Sequence, residues 1–171
     1  GEMKQKGVLL RENKKSLYLY EQARPDGKIF KGIIGLCAIA DYKSNHIKKH
    51  EEIRPTRLKF LVDLFKTTKV MGEPTLLAHN GNLPLHNIAC EELYSFTTVD
   101  EKKHRVSRIS NKKEIEKIQA ALAKLENFYI ADGHHRSAST ETFNDQVSGL
   151  DNDKSMCFII QEEQLEILPF H

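Results

Sequence analysis

Apolar residues recur along this chain with two periods, and the change from one to the other marks out its elements. Ser16 to Gln22 and Ile29 to Ala40 read as strands, and Pro25-Asp26-Gly27 between them predicts a hairpin turn. Tyr18 and Tyr20 alternate with Leu17 and Leu19, so one pair faces the core and the other the outer face of the sheet. Leu58, Leu61, Val62 and Phe65 share one face of a helix predicted over Leu58 to Lys66. Pro74 to His79 reads as a short strand and Asn80-Gly81-Asn82 as a turn, with His79 and His86 read as surface groups beside turn signals. Tyr94 to Val99 and His104 to Ile109 are strands that can pair across Asp100 to Lys103. Ser110 or Asn111 caps a helix in which Ile115, Ile118, Leu122 and Leu125 recur at helical spacing. Ser155 to Ile160 and Leu165 to Leu168 are the last strand candidates. Gly32 and Gly35 flank two isoleucines. Without a lysine and a third glycine they mark a bulge or a close backbone approach rather than a phosphate loop. Hairpins mixed with crossover helices predict an α+β domain with a mixed sheet rather than a doubly wound parallel one.

Between Phe128 and Ala138 the sequence reads Phe-Tyr-Ile-Ala-Asp-Gly-His-His-Arg-Ser-Ala. Here an apolar β-prone run enters a dense cluster of ionisable groups. Phe128, Tyr129 and Ile130 predict a buried strand, Asp132-Gly133 a turn and helix N-cap, and the small residues from Ser137 onward a helix. The first N–H groups of a helix lack internal partners and carry the positive end of its dipole, so such a turn suits a phosphate or carboxylate. Read blandly, Asp132 only caps the helix and His134 and His135 lie exposed on its first turn. Against that stand four polar groups around one glycine, all fixed by one strand.

Composition changes the picture little. The chain has 171 residues, 39% hydrophobic and 29% charged, enough for one domain over 1–171 that buries a core without a staple. No apolar run approaches the roughly 20 residues that cross a bilayer, so no membrane partner is expected. A net charge of +2, with basic runs broken by acids, argues against nucleic acid. Cys37, Cys90 and Cys157 are odd in number and widely spaced, which indicates neither disulfides nor zinc. Cys37 and Cys157 lie in apolar stretches and read as buried thiols in a reducing cytoplasm.

The run Tyr129-Ile130-Ala131-Asp132-Gly133-His134-His135-Arg136 resembles the signature of the family known as domain of unknown function 1015. Leu17 to Gln22, Gly32 to Leu36, Ile47 to Glu51 and His104-Arg105-Val106 support the resemblance, which spans most of the chain. More widely, Gly133-His134-His135-Arg136 resembles the Gly-x-x-Arg element with which the ParB and sulfiredoxin-like fold contacts nucleotide phosphates. Sulfiredoxins carry a reactive cysteine where this chain has His134, and ParB proteins an acidic residue. Free-serine kinases, with an aspartate and histidines at the turn, are the more similar relatives, and they imply phosphotransfer to a small molecule. Members of the family follow the His-Glu pair with a threonine and a longer charged run ending in Asp-Arg. This chain has the shorter His50-Glu51-Glu52-Ile53-Arg54-Pro55-Thr56-Arg57. If the absent groups serve catalysis, this member binds its ligand without turning it over. The family's members run to roughly twice this length, so the chain reads as a core fragment of a longer protein.

The resemblance implies ADP or ATP with magnesium as cofactor and a small polar metabolite as second partner. Phosphotransfer needs cations and N–H donors on the transferred group, a base at the acceptor and usually a divalent metal. Gly133, His134, His135 and Arg136 are the candidates for phosphate. Asp132 is the candidate for magnesium or for the acceptor's ammonium, and His135 or His134 for a proton shuttle. In the free-serine kinases a glutamate from a separate loop is the base, which makes Glu51 the candidate here. Two readings from other classes stand beside this one. The first is a nucleotide-responsive, partition-like binding module without catalysis. The second is a metal-dependent hydrolase using His134, His135, His50 or His104 with Asp132.

Overall fold

The structure, a computed structural model, describes residues 2–8, 10, 12–147 and 153–167. A short helix α1 (Glu2–Gln5) precedes β1 (Leu17–Ala23) and β2 (Ile29–Ala38). Then follow α2 (Ile39–Lys43), β3 (Ile47–Lys48), α3 (Pro55–Thr68), β4 (Thr75–His79), β5 (Glu91–Thr97) and β6 (Lys103–Ile109). The chain continues through α4 (Lys112–Leu122), β7 (Phe128–Asp132), α5 (His134–Gln146), β8 (Lys154–Gln161) and a 3-10 turn at Glu162–Gln164. The strands form one eight-stranded sheet in the order β3-β7-β4-β8-β2-β1-β6-β5. The pairs β3·β7 and β4·β8 are parallel and the others antiparallel, so the α+β mixed sheet expected from the pattern is present.

Strand alternation decides which face carries the core. Leu19, Ile33, Leu77, Ile130 and Ile159 are buried, and their neighbours pair across strands in register: Leu19 with Ile33, Ile33 with Ile159, Ile159 with Leu77, Leu77 with Ile130. Ile118 of α4 packs with Leu19, Ile33 and Ile109, and Ala138 of α5 packs with Leu77, Ile130 and Ile159. Tyr20 belongs to the other face, where it meets Phe158 edge-on at 5.2 Å across β2. Gly32 permits that approach, since a Cβ there lies 2.3 Å from the Ile159 carbonyl oxygen and 2.7 Å from the Phe158 ring. The close backbone approach expected at Gly32 is therefore found. Pro25-Asp26-Gly27 turns the β1–β2 hairpin, with Gly27 at φ 87°.

Several expectations are corrected. Ile39 and Ala40 are helical rather than part of β2, because pairing with β8 ends at Ala38 and Lys154 and the Ile39 N–H closes on the Asp153 carbonyl at 2.8 Å. Helix α3 starts three residues earlier than expected, at Pro55, whose fixed φ and missing N–H suit a first turn. Leu165 to Ile167 follow the 3-10 turn without strand pairing, and Leu168 lies outside the described residues. His79 is not a surface group: β4 is flanked by β7 and β8, and its side chain is 1% exposed. Asn111 caps α4, accepting from the N–H groups of Lys113 and Glu114. Cys157 is buried, Cys37 half-buried and Cys90 exposed, and all three are free thiols.

Candidate functional site

At the end of β7 the chain passes from strand to helix through one residue. Gly133 makes that passage at φ 98° and ψ 31°, a region costly for any residue with a Cβ, and α5 begins at His134 rather than at Ser137. Asp132 is the last strand residue and does not cap the helix. Its carboxylate instead accepts from Nη2 of Arg136, and the N-cap residue, Gly133, has no side chain with which to cap α5. The first turn of a thirteen-residue helix thus starts without a side-chain acceptor.

Small residues press this helix onto its neighbours. Ser137, Ala138, Ser139 and Thr140 are buried, and α5 packs on α2, α3, β4 and β8, with Phe143 edge-on to Phe65 of α3 at 6.3 Å. Ser137 Oγ and Thr75 Oγ1 share a buried hydrogen bond of 3.0 Å that ties the turn to β4. Ser139 and Thr140 hydroxyls donate back to the Arg136 carbonyl at 2.9 Å.

The loop between β3 and α3 folds over this first turn. His134 is 5% exposed, with Nδ1 2.9 Å from the Glu51 carboxylate and its ring edge-on to His50, centroids 4.3 Å apart. Burial, and then the nearby His50, push its pKa below the usual histidine value; the carboxylates of Glu51 and Asp132 oppose that shift without reversing it. Neutral His134 therefore donates from Nδ1 to Glu51, and its buried Nε2 has no partner among the described residues. His135 Nε2 accepts from the Arg54 N–H at 3.1 Å. Two segments about 80 residues apart in sequence thus meet in one place.

Arg136 lies between the carboxylates of Asp132 and Glu73, donating to each, and its buried Nε has no partner among the described residues. The carboxylates are 70% and 72% exposed, and such solvated pairs contribute only about 0–1 kcal/mol each. A phosphate accepts from a guanidinium in the same charge-assisted way, so these weakly held carboxylates are exchangeable for one.

All the residues expected at the site, Glu51, Asp132, Gly133, His134, His135 and Arg136, lie together around this turn. His104 does not. It is on β6, five strands from β7, where it stacks on Phe96 at 4.9 Å and its Nδ1 meets the Tyr20 hydroxyl at 2.7 Å. No group of three His, Cys, Asp or Glu side chains able to hold a metal ion occurs among the described residues, which leaves the hydrolase reading without a ligand set. Glu73 and Thr75 are the site residues that sequence reasoning missed, since nothing in Gly72-Glu73-Pro74-Thr75 signals partners 63 and 62 residues away.

Fold and site together define an α+β protein in which a mixed sheet presents a glycine-started helix to a His-Glu loop. A family model described as Protein of unknown function (DUF1015) matches residues 1–171, and the chain belongs to that family. No curated protein and no solved structure matches it. No helix among the described residues is long and apolar enough to cross a membrane.

Proposed function

We propose that the Gly133 turn binds the phosphates of ADP or ATP and that the protein is a small-molecule phosphotransferase with Glu51 as its base. The observation that carries this reading is the contact of His134 with Glu51, which holds a carboxylate beside an uncapped helix start that also bears Arg136. In this reading the N–H groups of His134 to Arg136 and the Arg136 guanidinium receive the phosphates. Asp132 and Glu73, turned away from Arg136, would offer a magnesium ion two hard oxygen donors. Magnesium there supplies charge neutralisation of the phosphates. Glu51 takes the proton of the acceptor hydroxyl as its oxygen bonds to the terminal phosphorus and the bond from phosphorus to the nucleotide oxygen breaks. Its side chain is 58% exposed, so an acceptor can reach it. The acceptor is a small polar metabolite with a hydroxyl group.

Isothermal titration with ADP and ATP, with and without magnesium, tests the binding half on the parent protein and on Arg136→Ala. Binding in the parent that vanishes in the variant supports it, and unaltered binding in Arg136→Ala removes the phosphate role. Glu51→Gln separates chemistry from binding: the variant keeps nucleotide and loses phosphate transfer to serine and related alcohols. Retained transfer in Glu51→Gln contradicts the base assignment, and binding without transfer in the parent favours a nucleotide-responsive module.

A further inference from the structure

His79 ends β4, at the opposite end from the Gly133 turn, and is 1% exposed. Its Nδ1 accepts from the Gly81 N–H at 3.2 Å, so in the neutral ring the proton is on Nε2. Burial pushes its pKa below the usual histidine value, and the ring is neutral near pH 7. The Nε2–H is then a buried donor with no partner among the described residues. Groups of this kind are nearly always satisfied by protein, by water or by a bound molecule.

A cleft of about 320 Å³ opens here, lined by His79, Lys31, His86 and Gln161 on its polar side and by Leu85 and Ile159 on its apolar side. Lys31 Nζ lies 3.5 Å from Glu21, but the same carboxylate already takes Arg105 through Nη2 at 2.5 Å and Nε at 2.7 Å. Glu21 is thus held chiefly by Arg105, while Lys31 lines the cleft with no carboxylate among the described lining residues. The five residues of β4 put roughly 13 Å between its ends, so this cleft is separate from the Gly133 turn.

We propose that this cleft binds a small aliphatic carboxylate, with the His79 Nε2–H as buried neutral donor, Lys31 as counter-charge, and Leu85 and Ile159 against the carbon chain. One cation and one neutral donor match a single negative charge, whereas a phosphate dianion calls for more cations.

The test is a long-range proton–nitrogen spectrum of the histidine rings of the whole chain, titrated in turn with butyrate, L-glutamate and inorganic phosphate. The expected result is an Nε2–H tautomer at His79 whose nitrogen signals shift saturably with butyrate or glutamate. Lys31→Met, which keeps the apolar stem, then weakens that binding about tenfold or more, and Lys31→Arg retains it. An unchanged His79 tautomer signal in each variant certifies the fold. No saturable shift with either carboxylate overturns the proposal, as does equal binding by Lys31→Met or tighter binding of phosphate than of the carboxylates.

Discussion

Replacing Gly133 by alanine tests the turn at the point where conformation and ligand contact coincide. At φ 98° an added Cβ is strained, and it also lands 2.7 Å from Arg136 Nε and 2.8 Å from Nη2. Gly27 is a built-in control, because it has φ 87° and nothing within 4 Å of its added Cβ. Left-handed strain costs about 1–2 kcal/mol, and the stiffer unfolded chain returns about 0.4–1, so Gly27→Ala loses roughly 1 kcal/mol. Gly133→Ala bears the same strain and must also swing Arg136 away from Asp132 and Glu73, two solvated pairs worth about 0–1 kcal/mol each. The sum is a loss of about 1–3 kcal/mol, or a Tm lower by roughly 2–12 °C at this chain length. Thermal unfolding followed by circular dichroism reads the stability, and ADP titration reads the site. Gly27→Ala binds ADP as the parent does, whereas Gly133→Ala, with Arg136 displaced, does not. A Gly133→Ala protein with parental Tm, or with parental ADP affinity, refutes the reasoning.

Three further outcomes are expected. His79 and His134 both have folded pKa values depressed below 6.5, so on acidification the unfolded chain takes up protons that the folded one refuses. The stability that these neutral rings contribute is complete above the unfolded pKa and is lost as pH falls through and below it. Urea midpoints therefore drop between about pH 7.5 and pH 5.5, and a flat or rising midpoint contradicts this. Ser137→Ala leaves Thr75 Oγ1 without its buried partner and costs about 1–3 kcal/mol, while adding Thr75→Val restores much of the loss; additive losses in a double-mutant cycle contradict the pairing. Asn111→Ala lowers stability by about 1 kcal/mol through loss of the α4 cap, and an unchanged denaturation midpoint counts against that cap.

What the sequence made legible was local. The hairpin turn at Pro25-Asp26-Gly27, the apolar faces of α3 and α4 and the Asn111 cap follow from spacing within a dozen residues. The junction at Gly133 was also readable, because a β-prone run and a polar cluster adjoin there. The start of α5 was misplaced, since Asp132 pairs with Arg136 one turn ahead instead of capping the helix. Helix α2 was hidden because Ile39 and Ala40 continue the apolar run of β2, and only the end of pairing with β8 separates them. The burial of His79 depends on β4 lying between β7 and β8, a long-range pairing that no local signal carries. Glu51 entered as a candidate base through resemblance alone, and its 2.9 Å separation from His134 is a property of the fold that the sequence does not carry.

The most direct measurement is a backbone amide titration of the full chain with ADP and magnesium. If the helix start receives the phosphates, the amide signals of His134, His135 and Arg136 move first and furthest, with Glu51 and Glu73 following as their partners rearrange. Saturable shifts that leave those three amides in place, or no shifts with either ADP or ATP, contradict a phosphate site at the Gly133 turn.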